Sequence, residues 1–329
     1  MSVRTSHPAL VLPPRVDPVA VAALLRSQHG AVASGQLHEL GMTRSAITAQ
    51  VEAGRWRWWL PRVYVVGTTA PRRATRIAAA LLYGGPPAVL SHRTAAEEWA
   101  MVRREPGPVH LTVPYGASAV SQVDRVVVHR SRAMDHIVVP TEPRRTARAD
   151  TAVDLAVEEP DARAARRLLI SLMTGGRLRP VDVEIRLAER SPRRYRRALR
   201  SAVQAVREGV HSALEDLYVV EVEQAHGLPT GGRQIPVSVD GVVLWEDVTY
   251  DRTRLPLTVR LDGRTHLQAG RAFRDRRRDN AAELAGRSRL VFGWDETNAD
   301  PCGVAQEVAS VMRRLGWGGS PRPCPRCPS

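Results

Sequence analysis

At 329 residues and 43% hydrophobic content, the chain is long enough for two or three folded domains and too apolar to be disordered. No apolar run reaches the roughly 18 residues that span a bilayer, and the first 20 residues carry four prolines where a secretory signal has its apolar core, so the expectation is a cytoplasmic protein with no membrane partner. The 48 basic residues are all arginine and outnumber 34 acids, for a net charge of +14, distributed as +4 over residues 1–70, +10 over 71–200 and zero over 201–329. A basic excess confined to the first two thirds favours a polyanionic partner, with double-stranded DNA foremost.

The first seventy residues read as three short helices and a strand pair. A helix from Val19 to Gln28 ends at His29-Gly30. Ser34 is placed to cap a second helix carrying Leu37 and Leu40 and closed by Gly41. Thr43 is placed to cap a third, through Ile47 and Val51 to Gly54. Trp56 to Val66 then alternates as two strands about Pro61. That order describes a winged helix-turn-helix, in which the third helix enters the major groove by its N-terminal end. Thr43, Arg44, Ser45 and Thr48 would face bases or phosphates, and Arg55, Arg57 and Arg62 would flank the wing. Trp56, Trp58 and Trp59 read as packing rather than base-stacking residues.

The stretch HGAVASGQLHELGMTRSAITAQVEAGRWRWWLPRVYVVG resembles the N-terminal domain of AbiEi-type antitoxins, over about forty residues. The resemblance implies operator binding, repression of a gene pair in a type IV toxin–antitoxin system, and a nucleotidyltransferase-like toxin as a possible partner.

Residues 71–208 read as a mixed middle region. Arg72 to Gly84 is a helix, SHRTAAEEW begins a second behind Ser91, and VHLTVP and RVVVHRS alternate as strands. The SHRTAAEEW piece is similar to the middle region of AbiEi-like proteins. His92 lies in a first helical turn with no nucleophile or carboxylate paired to it in sequence, so it is read as structural. Ser191-Pro192 is expected to open a helix in which Arg193, Arg196, Arg197, Arg200 and Arg207 share one face, opposite Tyr195, Leu199, Val203 and Val206. Such a stripe suits the DNA backbone.

From 209 to 317 the order is a helix from His211 to His226, strands Val242–Tyr250 and Leu257–Asp262 about a turn at 251–256, a helix from Gly270 to Gly286, the strand RLVFGW, and a helix from Pro301 to Leu315. This order suits the core of PD-(D/E)xK endonucleases. The residues HSALEDLY, GLP, WEDVTY, LTVRLDGRTHL, DRRRDNAAELAG and RLVFGW resemble a domain of unknown function that shares the fold of the very-short-patch repair endonuclease. The resemblance implies a site of Glu215, Asp247, Asp262 and His266, with Asp275 and Arg278 nearby and Asp247 and Asp262 as metal ligands. It also implies a glutamate where this chain has Arg260.

Alternation puts Asp247 on the face of Val243 and Trp245, and symmetric closure of the hairpin puts it opposite Arg260. A guanidinium there satisfies the aspartate and repels Mg²⁺. Glu246 faces the other way. Residues 318–329 form a Pro-rich tail, expected to be mobile, in which Cys324-Pro-Arg-Cys327 has zinc-ligand spacing but only two of the four ligands a structural zinc needs. With Cys302 the only other cysteine, a disulfide scaffold is not expected. The combined expectation is an α+β, multidomain DNA-binding regulator with a degenerate nuclease-like domain and no cofactor. The alternative is an active endonuclease using Mg²⁺.

Overall fold

The computed structural model describes residues 12–67, 69–239, 242–262 and 286–327. It is a mixed α and β structure of two compact units, Met1–Leu155 and Ala156–Ser329.

The first unit opens with α1 (Pro18–Ser27), β1 (Ala31–Ala33), α2 (Ser34–Glu39), α3 (Arg44–Glu52), β2 (Trp56–Leu60) and β3 (Val63–Val66). Asp17 caps α1 through Val19 N, and Thr43 caps α3 by accepting from Ala46 N at 3.2 Å. The cap of α2 differs from expectation. Its N-cap is Ala33, whose N–H is met by the Gln36 side chain at 3.0 Å, so Ser34 is already helical. Gly41 and Gly54 take φ of +86° and +68°, values a Cβ disfavours, and stop the helices where the sequence says they should. β3 lies between β1 and β2, antiparallel to both. Val21, Leu25, Leu37, Met42, Ile47 and Trp56 form the core beneath this layer.

The unit continues with α4 (Arg73–Gly84), β4 (Val89–Leu90), α5 (His92–Glu98), β5 (Val109–Pro114), β6 (Val126–Ser131), α6 (Met134–Ile137), β7 (Val138–Val139), β8 (Arg145–Thr146) and α7 (Arg148–Glu158). The five strands order as β6-β5-β4-β8-β7, and β5 runs parallel to β6. Ile77, Ala79 and Ala80 of α4 share one core with Leu60, Val63 and Val65 from the N-terminal strands. Ser91 is the N-cap of α5, but its hydroxyl bonds the His92 ring at 2.9 Å instead of capping the helix.

The second unit begins with α8 (Ala162–Thr174), α9 (Pro180–Glu189) and α10 (Arg196–Arg207). α10 starts five residues later than Ser191. The reason is Tyr195, which sits at φ +58° and whose hydroxyl bonds the carbonyl oxygens of Glu159 and Pro160 at 3.0 and 2.8 Å, pinning the entry outside the helix. Arg193 therefore lies off the helical stripe.

α11 (Ala213–Leu217) passes directly into a π-helical stretch, Tyr218–Gln224. There follow β9 (Gly232–Val239), β10 (Val242–Thr249), a 3₁₀ turn at Asp251–Thr253, β11 (Leu257–Asp262), β12 (Ser288–Gly293), α12 (Trp294–Ala299) and α13 (Pro301–Arg314). The sheet runs β12-β11-β10-β9, with β9, β10 and β11 an antiparallel meander and β12 parallel to β11. β9 was not expected. Pro236 argues against a central strand, and the sheet puts β9 at an edge, where a missing N–H costs nothing. Val248, Tyr250, Leu257, Val259 and Phe292 pack against Tyr218, Val222, Val304, Val308 and Met312. In β12 only Phe292 is buried, so RLVFGW is a half-exposed strand. The expected Gly270–Gly286 helix, with Asp275 and Arg278, and the expected site residue His266 lie outside the described residues.

Candidate nucleic-acid interface and acidic cluster

α3 is two-sided. Ile47 and Gln50 face the core, while Thr43, Arg44, Ser45 and Thr48 are exposed on its N-terminal half. The Thr43 hydroxyl is committed to the helix cap and lies 3.0 Å from Ser45 Oγ. Arg57 and Arg62 are exposed on the hairpin. Arg55 is half-buried, and its Nε donates to Gln50 Oε1 at 2.7 Å. That bond fastens the entry of the hairpin to α3. Trp56 is fully packed, and Trp59 carries the Arg125 guanidinium 4.6 Å above its ring. Trp58 is half exposed.

On α10, Arg196, Arg197, Arg200 and Arg207 are exposed, backed by buried Leu199, Ala202, Val203 and Ala205. Arg207 is bonded to Glu184 at 2.8 and 3.0 Å, which partly neutralises the C-terminal end of the stripe.

In the second unit, Val248 pairs with Val259 and Thr249 with Thr258, and one step further along this register Asp247 stands opposite Arg260. Arg260 is buried, and its Nε donates to Asp262 Oδ1 at 3.1 Å. Asp247 Oδ2 accepts from Leu261 N at 2.8 Å. The bond from Nε goes to Asp262 because residues two apart on a strand point the same way and lie close.

Glu215, on α11, joins this group. It is buried, accepting from His211 N at 3.1 Å, Ser212 Oγ at 3.2 Å and Gln234 Nε2 at 3.2 Å. Burial pushes its carboxyl above the ordinary range, the charge of Asp247 adds to the push, and the His211 N–H opposes it. Glu215 thus lies close enough to Asp247 to feel its charge, and the buried Arg260 guanidinium stands beside Asp262.

Two buried polar groupings were not read from the sequence. His110 of β5 and His129 of β6 join His92. The His92 and His129 rings stack at 3.4 Å between centroids and 11° between planes, and His110 Nδ1 lies 3.1 Å from His129 Nε2. Burial first, then the neighbouring imidazoles, lowers His92 to about 2 and His129 to about 4. Burial also lowers His110, opposed by Glu97 and assisted by Arg93. The second grouping is Glu223, whose carboxylate accepts from Tyr250 Oη at 2.6 Å, from Gly231 N at 3.2 Å and from Arg233. Tyr250 Oη also lies 2.9 Å from Tyr218 Oη. Burial pushes the Glu223 carboxyl up, against the pull of Arg233.

Among the described residues no helix is long and apolar enough to cross a membrane. No protein-family profile matches the chain, and no curated protein matches it at a significant level.

Proposed function

We propose that this chain is a DNA-binding regulator, with a winged helix-turn-helix at its N-terminus and a nuclease-like domain whose acidic site is disabled by Arg260. The observation that carries the reading is α3. It follows α2 across a tight glycine turn and leads into an antiparallel hairpin, and it leaves Arg44, Ser45 and Thr48 in solvent while Ile47 anchors it. Side chains at that end of such a helix reach base edges, and arginine reads guanine through two parallel hydrogen bonds. The exposed guanidiniums of Arg57, Arg62, Arg196, Arg197 and Arg200 supply phosphate contacts that position without specifying. The similarity to AbiEi-type antitoxins adds autoregulation and a nucleotidyltransferase-like toxin as partner, which a toxin gene adjoining this one would support.

The test is selection from a random duplex pool by the whole chain, followed by anisotropy titration of the selected duplex. Arg44→Ala is expected to weaken binding by about 1–3 kcal/mol and to relax selectivity at one base position. Affinity that is insensitive to salt, or unchanged in Arg44→Ala, overturns it.

A second reading is favoured by one observation, the placing of Glu215 close enough to Asp247 to feel its charge. It is an active endonuclease in which Mg²⁺ binds despite Arg260. Cleavage of duplex DNA that requires Mg²⁺ and is lost in Asp247→Asn would establish it over the first.

A further inference from the structure

The tail motif that lacked two ligands in the sequence finds them in the fold. Cys324 and Cys327 come against Cys302, the second residue of α13, and against His226, just beyond the π-helical stretch. Cys302 is 5% exposed and His226 2%. The four ligand atoms lie within 4.8 Å of one another. Cys302 Sγ is 3.6 Å from Cys324 Sγ and 3.6 Å from Cys327 Sγ, Cys324 Sγ is 3.8 Å from Cys327 Sγ, and Cys327 Sγ is 3.6 Å from His226 Nε2.

These separations can be compared with two alternatives. A disulfide needs S–S near 2.05 Å, so none of the three pairs is bonded, and the cysteines are free. A tetrahedral zinc with Zn–S of about 2.3 Å and Zn–N of about 2.05 Å separates two sulfurs by about 3.8 Å and a sulfur and a nitrogen by about 3.6 Å. The observed distances fall on those values.

The surroundings are those of a ligand set. His226 Nδ1 lies 3.1 Å from Val222 O, and a carbonyl can only accept, so Nδ1 carries the proton and Nε2 turns its lone pair to the sulfurs. The Cys324 N–H donates to Cys327 Sγ at 3.3 Å and the Arg326 N–H to Cys324 Sγ at 3.4 Å, bonds that stabilise thiolate charge. Cys302 sits in the first turn of a 14-residue helix. The chain is led into place by Arg322 N, which donates to His226 O at 2.8 Å. Gly227 has φ +64°, and the Arg322 side chain occupies the space its Cβ would fill.

The geometry points to a closed Cys₃His zinc site formed by His226, Cys302, Cys324 and Cys327, which clips the C-terminal tail to the helices of the second unit. Three thiolates and one imidazole in a tetrahedron select Zn²⁺ over the oxygen-seeking Mg²⁺ or Ca²⁺. All four positions are filled by protein, so the site is structural and leaves no place for an activated water. It is independent of the acidic cluster around Glu215.

The test uses the whole chain, purified under reducing conditions, stripped with chelator and refilled with Zn²⁺ or Co²⁺. One zinc per chain is expected by elemental analysis. Cobalt should give thiolate charge-transfer bands and the intense visible bands of a tetrahedral ion. Cys327→Ser, at one of the two half-exposed ligands, should reduce zinc affinity by more than about 100-fold, the upper end of what a change outside the ligand set costs. Trypsin cleavage after Arg326 should be slow with zinc and fast with chelator. The wild-type spectra decide the matter even if a variant fails to fold. The inference is overturned by a refilled wild type that holds no zinc, by an octahedral cobalt spectrum, by zinc affinity unchanged in Cys327→Ser, or by tail cleavage indifferent to zinc.

Discussion

The histidine stack of the first unit makes its stability depend on pH in a calculable way. His129 has an ordinary value of 6.5 when unfolded and about 4 when folded, and His92 falls from 6.5 to about 2. In both cases the folded group refuses a proton that the unfolded chain accepts. The stabilisation is therefore whole above pH 6.5 and is lost as pH falls below it. Between pH 7 and pH 5 the loss is about 2 kcal/mol for each ring, or about 4 kcal/mol for the two. For a unit of this size that corresponds to a drop of about 8–16 °C in Tm. His129→Phe keeps a flat ring over His92, removes one titrating group and relieves the repulsion that depresses the other. Its loss from pH 7 to pH 5 should be at most about half that of wild type. Thermal unfolding of both proteins at pH 5, 6 and 7, followed by circular dichroism, compares the slopes and cancels every other titrating group. Equal slopes to within about 0.5 kcal/mol would refute the reasoning.

Glu223→Ala should destabilise the second unit by about 3–5 kcal/mol, because it strands the Arg233 charge and the Tyr250 hydroxyl in a dry core. Urea unfolding showing less than about 1 kcal/mol would contradict that. Arg260→Glu removes a buried cation from beside Asp262 and adds an anion, a change worth about 4 kcal/mol per pair at close range. Calorimetric titration should show Mg²⁺ affinity rising by at least about tenfold, and an unchanged titration would show that Arg260 does not block the site. Changing Arg196, Arg197 and Arg200 together to Gln should lower DNA affinity and the salt slope without altering the preferred sequence, and a shifted sequence preference in a repeat selection would count against the phosphate role.

Much of this architecture is written in local pattern. The cap at Thr43, the stop at Gly54 and the pairing of Trp56–Leu60 with Val63–Val66 follow from side-chain chemistry within a few residues, and they stand where the sequence put them. The pairing of Val248 with Val259 and Thr249 with Thr258 was legible for the same reason, since a hairpin closes about its own turn. What was missed depends on distance along the chain. β9 hides behind Pro236, which is tolerated because the sheet makes it an edge. His92 meets His110 and His129 only through the pairing of β5 with β6. The late start of α10 depends on a hydroxyl of Tyr195 reaching back to Glu159. His226 and Cys302 complete the tail motif from elements that no spacing rule connects.

The parallel seam between β11 and β12 governs the order in which the sheet can be assembled. Across the meander, partners such as Val248 and Val259 are near in sequence, whereas Leu257 must find Ser288, 31 positions on. Closing the longer segment costs about 1 kcal/mol more in chain entropy than closing the hairpin, before any contact repays it. The meander can therefore condense as a local nucleus, with β12, α12 and α13 docking afterwards onto a preformed edge. Until that docking, β11 shows an unsatisfied row of amides and the apolar face of Leu257 and Val259 to whatever else is nearby. In the interval between synthesis of β11 and arrival of β12 that edge is open to mispairing.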